Sequence, residues 1–464
     1  MYKSIRELGS FIRDGSVSPI ELTGKFIERL ETLGPRYNAI VTVTKERAME
    51  QAERAETEIR EGNYRGPLHG IPYGAKDLLA TSGGIPTSWG AAPFRNRTFD
   101  YDASIIMKLD DAGAVLASKL AMVEIAGGMG YHQPNASFTG PGRNPWDPDM
   151  WTGGSSSGSG AAVAAGLVPF AIGSETWGSI LSPANNCGVA GLRPTYGRVS
   201  RFGAMALSWT LDKLGPLCLT ADDCGIVLEA IAGPDPKDQT AADIKYDYDD
   251  VDSGSHFKLA ILQGALESCD EAVKENFESS LRVLEGFASI ENIELPDLPY
   301  EAVTRTILNG EAASAFEDFT ENGLAGELTA PECHYGPYAR TAVLAKDYLK
   351  ALRLRGVICE IVNEAMEPFD AVVAPSRNSP ASPISQKFRK AAPGTVRDTM
   401  GAVGNGAGLP SISIPNGFTS MVLPTGIQFM GRPYKENTII AVARKYQSKT
   451  DWHLKHPKNL VPKV

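Results

Sequence analysis

The sequence has few cysteines, and no two of them are closely spaced. The six cysteines among 464 residues stand at positions 187, 218, 224, 269, 333 and 359, without a CxxC motif. A disulfide framework or a zinc site uses closer or more regular spacing, so neither is expected. Scattered thiols are typical of reduced proteins, and we expect a cytoplasmic location and no bound metal.

Long apolar runs and an excess of positive charge are also absent. The most apolar run, residues 161–172, is shorter than the roughly 20 residues that cross a bilayer. The first residues lack the apolar stretch of a signal peptide. The net charge is −10 and no block of five basic residues occurs, whereas nucleic-acid binding needs a basic face. We therefore expect neither a membrane nor a nucleic acid as partner, and leave a homodimer open.

The first 62 residues read as helical. Ser18 as N-cap, Pro19 at the first helical position and Glu21 in a capping box predict a helix that ends at Gly34. A second helix is predicted over 44–62, which is rich in Ala, Glu and Arg. We expect residues 1–62 to have a structural rather than a catalytic role.

Further along, short apolar runs alternate with helical stretches. "DASIIMKLDDAGAVLASKL" reads as helix then strand, and "FKLAILQG", "FDAVVAPS" and "PSISIPNG" read as strands. Alternating strands and helices predict an α/β fold. An acidic, turn-rich stretch at 243–255 reads as a solvated loop. No repeat is visible, and we expect one domain over 1–464, with a helical segment 1–62, a core 66–235 and a remainder 256–464.

The segment "TGGSSSGSGAAVAAG", residues 152–166, has the composition of a flexible linker but not its setting. No charge falls between Met150 and Ser174, and apolar residues follow at once. "GSSSG" matches the nucleophile elbow with Ser156 at its centre, but that elbow needs a preceding strand, and "GRNPWDPDMWTG" has no strand pattern. A phosphate-binding P-loop is less favoured still, because no Lys follows as its pattern requires.

Two further segments carry reactive side chains. Lys76 stands in "GIPYGAKDLL", beside apolar residues. A buried lysine loses its charge easily and then serves as a general base. Ser179 follows Gly178 in "GSETWGSILSPANNCGVAGLRPTYGRVSR", where small residues leave backbone N–H groups free to face a reacting atom.

Together these segments closely resemble the amidase signature family. The family pattern GGSSxGS reads "GGSSSGS" here, the GGSI-type turn reads "WGSI", and the lysine motif GIPxxxKD reads "GIPYGAKD". "CGVAGLRPTYGRVSR", "NPWD" and "GAGLPSISIPNGF" are further landmarks. The resemblance covers nearly the whole chain and implies a large mixed central β-sheet flanked by helices.

The resemblance also implies a set of catalytic roles. Ser179 matches the nucleophile, Ser155 matches a bridging serine that follows a cis peptide bond, and Lys76 matches the base. The backbone N–H groups of Thr176, Trp177, Gly178 and Ser179 match the oxyanion hole. Such a relay supplies both base and acid, so no cofactor is expected. Family members cleave amides, anilides, esters and carbamates, and include urethanases.

This chain departs from the usual family turn. TDTGGSIR reads "SETWGSIL", so Glu175 replaces Asp, Trp177 replaces Gly and Leu181 replaces Arg. The usual Asp–Arg pair is missing, which makes the site less polar. We expect an apolar or aryl substrate in a pocket formed by five residues, Tyr131, His132, Trp151, Trp177 and Leu181.

Three alternatives stay open. The chain also fits the A subunit of a tRNA-dependent amidotransferase, although an apolar pocket would bind the charged α-carboxylate of glutamine poorly. A non-catalytic family member is the second alternative. A Ser–His–Asp hydrolase using one of the six histidines, with His132 as candidate, is the third.

Overall fold

The computed structural model describes residues 2–248, 256–388 and 398–458. These ranges form one mixed sheet of eleven strands in the order β1-β3-β2-β4-β6-β5-β10-β11-β9-β7-β8. The strands are β1 (Ile40–Val43), β2 (Pro72–Lys76), β3 (Val115–Leu120), β4 (Phe170–Glu175), β5 (Ala190–Arg193), β6 (Lys213–Cys218), β7 (Phe257–Leu262), β8 (Ala288–Ile293), β9 (Ala371–Pro375), β10 (Ser411–Phe418) and β11 (Pro424–Met430).

Fourteen α-helices flank this sheet within the described ranges. They are α1 (Ile5–Arg13), α2 (Pro19–Leu33), α3 (Lys45–Arg60), α4 (Ser104–Asp111), α5 (Ser157–Ala164), α6 (Leu181–Cys187), α7 (Ala221–Ile231), α8 (Glu271–Leu284), α9 (Tyr300–Ala315), α10 (Glu317–Glu321), α11 (Gly336–Arg340), α12 (Ala345–Met366), α13 (Thr399–Gly406) and α14 (Glu436–Gln447). The α/β fold and its large mixed sheet are as predicted.

Strands β2 and β4 lie side by side and run parallel, with Ala75 opposite Ile172. Both are buried along their whole length, as expected of strands covered on both faces. Because parallel strands end at the same edge of a sheet, the end of β2 and the turn after β4 are neighbours. The candidate site lies at this edge.

The helix signals near the start of the chain predicted α2 well. Ser18 caps the helix, and its hydroxyl accepts hydrogen bonds from the N–H groups of Ile20 and Glu21. The purely helical prediction for 1–62 is wrong at β1, which pairs antiparallel with β3. A strand of four residues is too short to show a period, and its pairing with β3 rather than its local sequence fixes it.

The predicted strands near 257, 371 and 411 are confirmed as β7, β9 and β10. The predicted loop 243–255 lies partly outside the described residues, and its first part, 243–248, contains neither helix nor strand. All six cysteines are free thiols. Of the helices in the described ranges, none has the length and apolar character needed to cross a membrane.

Candidate active site

Lys76 ends β2 and is fully buried. Its Nζ lies 2.7 Å from Ser155 Oγ, 3.0 Å from Ser156 Oγ and 2.9 Å from Ser174 Oγ. A hydroxyl both donates and accepts, so these three serines can satisfy the amine whether it is charged or neutral.

The pKa of Lys76 is lowered from 10.5 to about 7. Burial is the main cause, and it outweighs the negative charges of Asp212 and Glu175, which act in the opposite direction. Asp77, the next residue, turns away and places Oδ1 3.1 Å from Lys119 Nζ. Lys76 is thus buried, as its apolar sequence neighbours predicted, and its pKa is shifted in the expected direction.

Ser155 and Ser156 stand immediately before α5, after a cis peptide bond between Gly154 and Ser155, as the resemblance implied. Ser156 Oγ is fixed by Ser174, since it donates to the carbonyl oxygen at 3.2 Å and accepts from the N–H at 3.2 Å. By contrast, within the described ranges Lys76 is the one hydrogen-bond partner of the Ser155 hydroxyl. Ser155 and, by the same criterion, Ser174 therefore have hydroxyls that are freer than that of Ser156 to exchange a proton with Lys76.

The Gly- and Ser-rich segment is closely packed. All eight residues of α5 are buried. A Cβ at Gly158 would lie 2.4 Å from the carbonyl oxygen of Ala39 and 2.5 Å from the nitrogen of Ala121. Larger residues would push these backbones apart, so the composition reflects close packing rather than a tether.

Ser179 lies in the turn between β4 and α6, with 8% of its surface exposed. In the part of the chain that the structure describes, the N–H groups of Trp177, Gly178 and Ser179 donate to no protein acceptor. Gly178 has φ of +82°, which favours glycine, and the space beside it is open. Unpaired N–H groups beside open space are suited to bind an oxyanion.

The link between Ser155 and Ser179 differs from the sequence-based prediction. Among the described residues no hydrogen bond joins the two hydroxyls, and the nearest link is the Ser156 N–H, which donates to the carbonyl oxygen of Ser179 at 3.2 Å. Catalytic hydrogen bonds are often long in a free enzyme and shorten in the reacting complex.

The usual pair between positions 175 and 181 is absent, because residue 181 is leucine, but Glu175 pairs with another arginine instead. Its Oε1 lies 2.9 Å from Arg193 Nη1, and both side chains are buried. Oε2 accepts from the N–H groups of Ile180 and Leu181 at 2.8 and 3.0 Å. Burial raises the pKa of Glu175, but Arg193, Lys213 and the Leu181 N–H outweigh it and the pKa is lowered. The carboxylate thus holds both ends of the Ser179 turn.

Two of the predicted pocket residues lie beside the bridging serine. A Cβ at Gly154 would lie 3.0 Å from Tyr131 Oη and 3.1 Å from the Trp151 ring. The Trp151 ring stacks on Phe388, with centroids 4.5 Å apart. Phe388 was not predicted, because its sequence neighbourhood carries no motif.

The other three predicted pocket residues are placed differently. The Trp177 indole donates to Asp398 Oδ2 at 2.8 Å and lies under Arg305, so it points toward α9 and α13. Leu181 is buried as the first residue of α6. His132 is tied to Glu332 through its backbone N–H.

The histidine alternative finds no support in the contacts. The six imidazoles all fall in the described ranges, and none of them hydrogen-bonds a serine hydroxyl. The closest ionisable group to Ser155 is Lys76.

A narrow cleft, partly open to solvent, adjoins this site. Two of its residues, Ser174 and Thr176, belong to the strand and turn that carry Ser179. The rest are mainly apolar: Leu78, Ala126, Arg201, Ala204, Met205, Ala206, Leu207, Trp209, Asp212 and Leu214. The segment 201–214 supplies most of the lining, although only its first residue belongs to a family landmark.

A buried lysine lies against serine hydroxyls, beside a turn with unpaired N–H groups, which is the arrangement that the resemblance to the amidase signature family implied. The family model described as Amidase matches residues 21–440. The A subunit of glutamyl-tRNA(Gln) amidotransferase from Carboxydothermus hydrogenoformans is 34% identical, covering 98% of this chain and 99% of that protein.

Solved structures are also similar to this chain over nearly its whole length. Peptide amidase from Stenotrophomonas maltophilia superposes with a TM-score of 0.84 and 29% identity, covering 100% of this chain and 99% of that one. A second solved structure comes from a vestigial protein complex that reveals the evolutionary origins of an s-triazine catabolic enzyme. It superposes with a TM-score of 0.88 at 28% identity, covering 96% of this chain and 98% of that one. The chain belongs to the amidase signature family. It is an amide-hydrolysing enzyme with a serine nucleophile.

Proposed function

We propose that this enzyme hydrolyses the C–N bond of amides, anilides or carbamates of apolar or aryl compounds, with esters as further substrates. One observation carries the proposal. Lys76 is fully buried, has a pKa of about 7, and lies 2.7 Å from a Ser155 hydroxyl. A base that is half neutral at pH 7 can start a serine relay.

The proposed mechanism uses only groups of this chain and water. Neutral Lys76 takes a proton from Ser155, which takes one from Ser179 as Ser179 Oγ attacks the carbonyl carbon. The unpaired N–H groups of residues 177–179 stabilise the oxyanion. The amine leaves with a proton returned by the relay, and water releases the acyl group from Ser179 by the same steps.

The cleft favours a substrate without charge. Its arginine, Arg201, already donates to Tyr196 Oη and Thr240 Oγ1 at 3.1 and 2.7 Å and to the Trp209 carbonyl. Asp212 likewise accepts bonds from its own neighbours. A free α-carboxylate would therefore lack a dedicated cationic partner, while the apolar walls and the exposed indole of Trp209 suit an aryl group.

A second candidate function is that of the A subunit in a tRNA-dependent amidotransferase. Identity of 34% over 98% of this chain to such a protein favours it. That function requires release of ammonia from glutamine. Glutamine turnover therefore separates the two candidates.

The test is a panel of p-nitroanilides, aryl carbamates, aryl esters and glutamine. Ser179→Ala serves as the blank. Ser159→Ala is the matched control, since its hydroxyl bonds the Ile172 carbonyl oxygen rather than Lys76. We expect the wild type and the control to hydrolyse aryl substrates and the blank to be inactive. Turnover of glutamine alone would favour the second candidate, and an active Ser179→Ala would place the nucleophile elsewhere.

A further inference from the structure

Asp212 lies directly before β6, opposite the start of the Ser179 turn. In the antiparallel pairing of β4 with β6, Glu175 faces Lys213. Asp212 and Thr176 are therefore the next pair beyond the ladder. Thr176 Oγ1 donates to Asp212 Oδ1 at 2.5 Å. This carboxylate is thus anchored to the first residue of the turn.

The rest of the Asp212 carboxylate is also held by donors. Oδ2 accepts from the N–H groups of Leu207 and Ser208 at 2.7 and 2.9 Å. The pKa of Asp212 is raised, because burial outweighs the hydrogen bonds from Thr176 and these two N–H groups and the charge of Arg201. Three donors that converge on one carboxyl group stabilise its ionised form and offset part of this effect of burial.

Asp212 differs from Glu175 in how its charge is compensated. Glu175 is paired with Arg193 at 2.9 Å. Among the described residues no lysine or arginine nitrogen lies within 4.0 Å of the Asp212 carboxylate. Of the charges that act on Lys76, Asp212 has the largest effect. It also shares the cleft wall with Ser174, which is bonded to Lys76 Nζ at 2.9 Å.

The charged groups that face Lys76 and Asp212 come from several elements. They are Glu175 on β4, which acts on Lys76, together with Lys213 on β6 and Arg201 in the segment between β5 and β6, which act on Asp212. Asp77 is paired with Lys119. We propose that Asp212 is a positioning residue for the hydrolysis: its carboxylate fixes the oxyanion turn through Thr176 and sets the pH range in which Lys76 acts as a base.

This inference rests on the proposed relay, and its test needs no known substrate. A fluorophosphonate probe forms a P–O bond with Ser179 as the P–F bond breaks. Fluoride leaves, and the serine proton passes through Ser155 to Lys76. The second-order labelling rate constant, measured from pH 5 to pH 9.5, therefore reports the fraction of neutral Lys76.

Asp212→Asn removes the negative charge and should move the midpoint of labelling to lower pH by about one unit. The rate at pH 6 should then rise from about one-tenth to about one-half of the alkaline plateau. Thr176→Val keeps the negative charge of Asp212 but removes the hydrogen bond that anchors it to the turn. The alkaline plateau of the labelling rate should therefore fall, while the midpoint of the pH profile should not change. Asp110→Asn, which removes a half-buried carboxylate paired with Arg54, should change neither the plateau nor the midpoint.

If Asp212→Asn does not fold, Asp212→Ser serves as a second variant without the charge. The midpoint of its labelling profile must also move to lower pH. An unchanged midpoint in a folded, neutral variant would overturn the role of Asp212, as would an equal shift in Thr176→Val. A wild type that is not labelled, or a Ser179→Ala that is, would instead refute the proposed relay.

Discussion

Replacing Lys76 by arginine tests whether the buried amine is the base. With the ordinary lysine pKa of about 10.4, about one molecule in 2,500 would be neutral at pH 7. With the lowered pKa of about 7, close to half are neutral. Burial thus raises the reactive fraction by roughly a thousandfold. A guanidinium stays protonated throughout this range and cannot accept the proton of Ser155.

The assay is kcat/KM for an aryl amide from pH 5 to pH 10. We expect the wild type to follow one ionisation near pH 7, with about one-tenth of the plateau at pH 6 and an alkaline plateau. Lys76→Arg should lose about three powers of ten or more at every pH. His132→Ala is the control and should retain activity. The reasoning is refuted if Lys76→Arg keeps most of its rate while His132→Ala loses it.

Three further predictions concern stability and specificity. Because the pKa of Lys76 is lower in the folded than in the unfolded chain, the unfolded state holds more protons between the two values, so the Lys76 contribution to stability rises with pH. The free energy of unfolding of the wild type, relative to Lys76→Met, should therefore increase by about 2 to 3 kcal/mol from pH 6 to pH 9 in urea titrations, and a constant difference would contradict the lowered pKa. Glu175→Gln leaves the buried Arg193 without a counter-charge and should lower the free energy of unfolding by about 3 kcal/mol; a loss below about 1 kcal/mol would show that the pair is dispensable. Trp209 is 61% exposed at the cleft, so Trp209→Ala should raise KM for an aryl anilide but not for a small aliphatic amide, and an equal effect on both would argue against an aryl subsite.

Local patterns predicted the parts of this enzyme whose geometry is set by neighbouring residues. The cap at Ser18 is one such part, because the capping bonds join residues two and three positions apart. The burial of Lys76 is another, since an amine among apolar neighbours is recognisable in one short segment. The contact of Lys76 with Ser155 joins residues 79 positions apart, and it was reached through the joint pattern of two motifs.

Contacts between distant segments without a motif were not predicted. Arg193 stands within the landmark "CGVAGLRPTYGRVSR", but its pairing with Glu175 depends on the sheet order β4-β6-β5. The direction of the Trp177 side chain depends on Asp398, 221 residues away. The register of β6 against β4 likewise brings Asp212 to Thr176.

The three hydroxyls around Lys76 explain why this site is built from serine rather than from acidic residues. A carboxylate at about 3 Å would hold the lysine as an ammonium and raise its pKa, leaving no base at neutral pH. A hydroxyl donates to the neutral amine and accepts from the ammonium, so it satisfies the buried nitrogen in both states. With no carboxylate bonded to the amine, burial lowers the pKa of Lys76. The acidic side chains nearby are accordingly engaged elsewhere, Asp77 with Lys119 and Glu175 with Arg193.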